Sequence, residues 1–351
     1  MIDGGVSLDR LGWSDEFAAQ VRDLSPELRI GRVAVEHRGA YEILGPDGMV
    51  KAAVSAELRR AATSPVMFPA VGDWVVHSSE LGHDRRLVIE RILDRSSQLL
   101  RRAPGPDVVP QVVGANIDEV AIVTTTTEDL NERRLERYLA LAHGGSATPV
   151  VVVNKIDLAS EEEAVRRVRD RFGRLEVLTV SAVRGDGLEQ VRGRLSGNRT
   201  LAFTGSSGVG KSTLVNALLG NADQAIGDVR DDGRGRHTTI RRHLLLAPGE
   251  GVVVDTPGLR EIQLWDGLGL DETFPELSRL ARGCRFADCA HQREPGCAVR
   301  KAAADGTVPA DRVDALVGLI NELADLAIEI EERERTLRRR EDARSKKRRR
   351  R

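Results

Sequence analysis

Gly205-Ser206-Ser207-Gly208-Val209-Gly210-Lys211-Ser212 decides how the chain is to be read. It is a G-x-x-x-x-G-K-S loop set between Thr200-Leu201-Ala202-Phe203-Thr204, a short apolar run of strand character, and Thr213-Leu214-Val215-Asn216-Ala217-Leu218-Leu219-Gly220, a helical run closed by glycine. Strand, loop and helix in that order place backbone N–H groups and a helix N-terminus around phosphate oxygens. Lys211 then reaches the β- and γ-phosphates, and Ser212 offers a hydroxyl to Mg²⁺. Residues 205–213 are therefore candidate nucleotide-binding residues.

Upstream, Asp118–Thr124 and Pro149–Val153 have the composition of buried strands, with a helix expected over Leu130–Ala142. Repeated strand-then-helix order predicts a parallel sheet covered by helices on both faces. The second strand delivers Asn154-Lys155-Ile156-Asp157, an N-K-x-D motif at a C-terminal strand end, where open α/β sheets bind ligands. A carboxylate at Asp157 can accept two hydrogen bonds from the guanine N–H edge. Adenine offers no such donor pair and would leave the buried acceptor unpaired. Ser181 and Ala182, ending the next strand, match a second guanine-side element.

Downstream, Arg242–Leu246 and Gly251–Val254 are hairpin-like, and the latter runs into Asp255-Thr256-Pro257-Gly258. Asp255 can hold Mg²⁺ through water, and the Gly258 N–H can meet the γ-phosphate. Thr239, with Thr238 as the alternative, is the candidate in the preceding loop to complete the metal shell beside Ser212 and Asp255. GTPases ordinarily place the phosphate loop before N-K-x-D. Here N-K-x-D comes first, which a circular permutation explains, since new surface termini leave a packed sheet intact.

Two flanking regions complete the chain of 351 residues. Between Arg29 and about Leu100, five short β-like runs and the hairpin signal Gly45-Pro46-Asp47-Gly48 suit a small oligonucleotide/oligosaccharide-binding (OB-fold) barrel, ended by the Pro/Gly linker at Ala103–Pro106. After the switch, all three cysteines of the chain fall at Cys284, Cys289 and Cys297, with His291 among them. Three thiolates and an imidazole are the ligand set of a closed, structural tetrahedral Zn²⁺ site. Pro309 and Asp311 start a helix with an apolar face from Val313 to Ile330, expected to pack on its own domain. The expected organisation is an N-terminal extension (1–28), an OB-fold barrel (29–102), a circularly permuted P-loop GTPase domain (103–265), an α-helical zinc-binding domain (266–336) and a disordered basic tail (337–351).

The net charge of −1 conceals an asymmetry. Residues 338–351 carry ten Lys/Arg against two acids, leaving about −9 on the rest. Such a block suits a polyanion. No run of 18 apolar residues occurs and no leader signature opens the chain, which predicts a soluble cytoplasmic protein with no membrane partner.

The permuted motif order, the barrel before it and the Cys-Cys-His-Cys cluster after it resemble the bacterial small-subunit-dependent, circularly permuted ribosome biogenesis GTPases over roughly residues 29–335. Family-like strings include Pro69-Ala70-Val71-Gly72-Asp73-Trp74-Val75, Arg133–Leu139, Asp255–Glu261 and Glu294-Pro295-Gly296-Cys297. The resemblance implies a monomeric enzyme that hydrolyses GTP to GDP when stimulated by the small ribosomal subunit. It would act late in that subunit's maturation, with the barrel and zinc domain on ribosomal RNA. Lys211, Thr239 and His237 become the candidate catalytic residues. The position after D-x-x-G is Leu259, which cannot orient water, and the family pattern offers His237 instead. The alternative is an RNA-binding assembly factor that GTP merely stabilises. Gly208 stands where potassium-activated relatives carry Asn, so replacing Na⁺ by K⁺ is expected to leave GTP turnover unchanged; a large acceleration would contradict this reading.

Overall fold

A computed structural model of the chain describes residues 4–37, 39–82, 86–126, 130–173, 175–220, 243–255 and 262–349. The N-terminal residues hold one short helix, α1 (Asp15–Ala19), and pack rather than dangle. Leu11 and Phe17 are buried, and Trp13 meets Trp74 edge-on with centroids 4.8 Å apart. Next come β1 (Leu28–His37), β2 (Ala40–Gly45), β3 (Gly48–Val54), α2 (Ala56–Ala61), β4 (Trp74–Ser78) and β5 (Leu87–Ile92). They pair in the order β1-β2-β3-β5-β4, and β1 pairs again with β4 to close a five-stranded barrel. Gly48, at φ +85°, supplies the left-handed turn between β2 and β3 that the Gly-Pro-Asp-Gly signal anticipated.

Strands β6 (Gln98–Arg102) and β7 (Pro110–Ala115) form a separate antiparallel pair. The Pro/Gly stretch expected to be a linker is the loop between them. The remaining α/β elements are β8 (Glu119–Thr125), α3 (Glu132–Gly144), β9 (Thr148–Asn154), α4 (Glu161–Phe172), β10 (Val177–Thr179), α5 (Leu188–Gly193), β11 (Thr200–Gly205), α6 (Lys211–Leu219), β12 (His243–Leu246) and β13 (Val252–Asp255). Their sheet order is β10-β9-β8-β11-β13-β12, parallel except for β12. Every residue of β8 and β11 is buried, as parallel strands covered on both faces require. The phosphate-loop strand β11 thus lies centrally between β8 and β13, with the N-K-x-D strand β9 one place further out. That is a GTPase sheet whose chain order alone is rearranged.

The barrel and the sheet are one hydrogen-bonded surface, because β1 also pairs with β12 at Val35↔His243. Beside this seam Arg32 is buried. Its guanidinium donates to the carbonyls of Leu11, Gly72 and Asn116 and to Thr200 Oγ1, and lies 5.3 Å from the Trp74 ring centre. Burial lowers its pKa to about 10, partly offset by Asp118 and Asp73, so it stays charged at neutral pH.

The C-terminal part holds α7 (Leu270–Thr273), α8 (Pro275–Ala281), α9 (Ala298–Ala304) and α10 (Ala310–Arg349). The long helix does not pack only on its own region. Arg312 reaches Glu136 of α3 at 2.8 Å and Glu276 at 2.6 Å, between the rings of Phe172 and Phe274. Glu322 receives Arg137 of α3 at 2.6 Å, and Glu329 meets Arg102. The basic tail, expected to be disordered, continues α10 as helix through Arg349. From Leu319 onward the sequence has no Gly or Pro and is rich in Arg, Lys, Glu, Ala and Leu. Their helix propensity extends a helix already nucleated by packing, and pairs such as Arg338 with Glu334 support it.

Replacing Arg32 by Leu removes the guanidinium donor from the buried carbonyls of Leu11 and Asn116 and from the Thr200 hydroxyl, and leaves the Gly72 carbonyl only its bond from Asn116 Nδ2. The expected loss is about 3–5 kcal/mol of stability, the scale for breaking a buried charged network. Urea unfolding of Arg32→Leu beside the parent chain checks this, and a midpoint shift within error would refute it.

Candidate functional site: a guanine-nucleotide pocket and a cysteine–histidine cluster

The phosphate loop owes its path to three glycines with positive φ: Gly205 at +141°, Gly208 at +84° and Gly210 at +91°. Two of these are also contact points. A Cβ on Gly205 would lie 2.2 Å from the Val123 carbonyl oxygen, and one on Gly210 would lie 2.4 Å from Asn154 Nδ2. Only glycine passes there. α6 starts at Lys211, directly after the loop, so Ser212 and Thr213 occupy its first turn. Lys211 Nζ folds back to donate to the carbonyls of Gly205, at 2.7 Å, and Ser206.

Asn154 does more than its motif suggests. Buried at the end of β9, it donates through Nδ2 to the Val209 carbonyl at 2.9 Å, and its Oδ1 accepts from the Ala182 N–H at 3.1 Å. One amide therefore clamps the N-K-x-D strand, the phosphate loop and the Ser181–Ala182 turn together. Lys155 takes a left-handed φ of +65° and donates through Nζ to the Gly208 carbonyl at 2.7 Å. Asp157 Oδ1 accepts from Ser181 Oγ at 2.6 Å, and that bond is the main reason its pKa lies below the usual aspartate value. Asp157 is thus a negative charge held in place by Ser181, with acceptor capacity left over.

Asp255 ends β13, paired with Phe203 of β11 and so beside the phosphate loop. Burial raises its pKa, with Lys211 acting in the opposite sense. The structure thus brings together Asn154, Lys155, Asp157, Ser181, Ala182, residues 205–213 and Asp255. The candidates His237, Thr238, Thr239, Gly258 and Leu259 lie outside the described residues. Sequence reasoning missed Arg134 of α3, whose Nη1 donates to Ser206 Oγ in the phosphate loop. No motif advertised it beyond its place in the Arg133–Leu139 string. It also missed Arg137, which donates to the Ile262 carbonyl at 2.9 Å as well as to Glu322.

The four other candidate ligands converge. One donor atom from each of Cys284, Cys289, His291 and Cys297 lies within 4.8 Å of all the others. Cys284 Sγ is 3.9 Å from Cys297 Sγ, and His291 Nδ1 is 3.7 and 3.4 Å from those two sulfurs. Metal–sulfur bonds of about 2.3 Å in a tetrahedron put ligand atoms about 3.8 Å apart, so the donors fit such an ion. Backbone N–H groups of Ala298 and Arg300 donate to the Cys284 and Cys297 sulfurs, each at 3.4 Å, and the Ala298 bond helps to lower the Cys284 pKa against the effect of burial. Glu294 fastens the intervening loop by accepting from the N–H groups of Ala290 and Gln292.

A circularly permuted P-loop GTPase is the class of protein that this sheet order and pocket define. Residues 92–265 match the family described as RsgA GTPase, and residues 200–337 match one described as 50S ribosome-binding GTPase. The chain is 44% identical over 319 residues to the small ribosomal subunit biogenesis GTPase RsgA of Opitutus terrae, covering 88% of this chain and 87% of that one. It is 42% identical over 316 residues to the protein of that name from Methanosarcina acetivorans, covering 89% and 84%. The crystal structure of YjeQ from Thermotoga maritima superposes with a TM-score of 0.62 at 27% identity, covering 85% of this chain and 99% of that one. The chain belongs to the RsgA family of GTPases.

The two site carboxylates are displaced in opposite directions, which orders their loss as pH falls. Asp255, raised, protonates first, so if it holds Mg²⁺ the metal dependence of nucleotide binding weakens first. Asp157, lowered, keeps its charge to lower pH, so a guanine contact made by it would outlast the metal's. Titrating GDP affinity with and without Mg²⁺ should show the metal's contribution fading before the affinity measured without metal declines.

Proposed function

We propose that this GTPase is a checkpoint on the small ribosomal subunit: its GTP form binds the maturing subunit and its RNA, and hydrolysis to GDP permits release. The observation that carries the reading is mechanical. The Ile262 carbonyl, four residues past Gly258, is gripped by Arg137, and the same guanidinium binds Glu322 of α10. In the permuted chain the end of the switch therefore runs straight into the C-terminal helices, so a change at the γ-phosphate is passed to a surface that can touch RNA. Relatives at 42–44% identity carry the name small ribosomal subunit biogenesis GTPase, which points to the same subunit.

In this reading Asp157, with the Ser181–Ala182 turn, selects guanine, and the N–H groups of residues 205–213 cradle the phosphates. Lys211 neutralises the β/γ end, and Gly258 meets the γ-phosphate. Ser212, Thr239 and Asp255 hold Mg²⁺, which supplies charge neutralisation at the phosphates when bound. His237 orients the attacking water in place of the missing glutamine, Leu259 standing at that position. The Cys284–Cys289–His291–Cys297 cluster holds one structural Zn²⁺ that fixes the loop before α9. The protein works as a cytoplasmic monomer. The described residues contain no helix long and apolar enough to cross a membrane. The barrel, formed by β1 to β5, and the metal-bearing region, at about 266–336, face ribosomal RNA, and the basic end of α10 adds phosphate contacts.

The deciding measurement is multiple-turnover phosphate release from GTP by the chain alone, with small subunits, and with large subunits. Stimulation by small subunits only is expected. Equal rates in all three would leave GTP as a conformational ligand and the protein as an RNA-binding assembly factor. His237→Ala should lose the stimulated rate by two orders of magnitude or so while keeping GDP affinity, the scale of a lost general-base contribution. Deleting residues 338–351 should weaken subunit binding and flatten its dependence on log salt.

A further inference from the structure

Two cations reach a single residue of the phosphate loop. Lys211 Nζ donates to the Ser206 carbonyl, and Arg134 Nη1 donates to the Ser206 hydroxyl. Ser206 is only 9% exposed. Asp255 is an acid close enough for Lys211 to act on its pKa. Such convergence is favourable once a polyanion enters the loop. The loop motif accounts for Lys211 alone; Arg134 is a cation in addition.

The delivery of Arg134 is rigid. It lies in the first turn of α3, where the Asn131 side chain accepts from its backbone N–H at 3.0 Å and caps the helix. Two residues on, Glu136 is fully buried and accepts from Arg171 and Arg312, both at 2.8 Å. Arg137, in the same turn, is tied to Ile262 and Glu322. A helix held at these points presents its N-terminal arginine to the loop at a fixed place. The fixed helix limits the change needed when nucleotide binds to a turn of the Arg134 side chain, after which the donor is held for the reaction.

We propose that Arg134 is an internal catalytic arginine of this GTPase. With GTP bound, its guanidinium turns from Ser206 Oγ to the γ-phosphate oxygens and stabilises the charge spread over them in the transition state. In other GTPases an arginine from the same chain or from a partner does this work. The role also fits Leu259, which cannot contribute a polar contact. Hydrolysis itself is unchanged: water adds to the γ-phosphorus, the bridging bond to the β-phosphate breaks, and GDP leaves with the electron pair. The inference rests on the assignment of the chain as a GTPase.

The test compares the full-length parent chain with Arg134→Ala and Arg134→Lys. The readouts are single-turnover GTP hydrolysis, GDP affinity, and binding of GDP with aluminium fluoride as a mimic of the transferring phosphoryl group. The expected result is a fall in hydrolysis of about a hundredfold or more in Arg134→Ala, GDP affinity within threefold of the parent, and loss of the aluminium fluoride complex. Arg134→Lys should keep GDP affinity and recover less than a tenth of the rate, because a point charge cannot reproduce the planar fork. Hydrolysis within threefold of the parent in either variant overturns the proposal. So does a loss of GDP affinity as large as the loss of rate, which would make Arg134 a support for the loop. If the parent chain itself releases no phosphate from GTP, the GTPase assignment has failed rather than the role of Arg134 within it.

Discussion

The buried guanidinium of Arg32 is the contact on which the arrangement of this molecule depends. A cation inside protein is tolerated only when its donors are satisfied and its charge is answered. Here the acceptors come from four separate stretches: Leu11 in the N-terminal extension, Gly72 before β4, Asn116 after β7, and Thr200 at the start of β11. Asn116 adds a bond of its own from Nδ2 to the Gly72 carbonyl. Each acceptor must be in place for the charge to be buried at all. The network therefore fixes the barrel against the strand that leads into the phosphate loop, and the split pairing of β1 with β4 and β12 makes the join continuous.

A second polar knot holds α3 against α4, α8 and α10. Glu136 receives Arg171 and Arg312, and burial raises its pKa despite both cations. Through Arg134 and Arg137, α3 touches both the nucleotide loop and the C-terminal helix α10. Permutation gives this geometry its use. In the customary chain order the switch is followed by more of the same sheet, whereas here Ile262 leads away from it. Among the described residues, α3 is the helix that grips the loop, the stretch at Ile262 and α10 together.

What could be read from sequence divides along physical lines. The phosphate loop was legible because close backbone approaches at Gly205 and Gly210 admit no side chain, and such constraints leave a residue pattern. The cysteine cluster was legible because thiols are scarce in this chain and lie together. Arg32, Arg134, Glu136 and Arg312 were not, since in a chain with 30% charged residues a buried arginine has the same letter as a solvated one. Asn154 was found for its motif, but its clamp on Val209 joins residues 55 positions apart, beyond any local pattern. The tail was misjudged because arginine-rich composition suits both disorder and helix, and the difference lay in Val313, Leu316 and Leu319 anchoring the helix from behind.

That helix changes what the C-terminal charges can do. Forty residues at 1.5 Å each make α10 about 60 Å long, and the part beyond Leu337 extends about 18 Å. A flexible segment of the same length would sweep its charges through a cloud of positions and bind whatever it met. A rod, fixed at its base by Arg312, Glu322 and Glu329, confines its end to a narrow cone whose direction is set by the nucleotide-bearing body. The end of α10 is thereby placed by the body of the molecule, at a reach from the GTP site that the length of the helix sets.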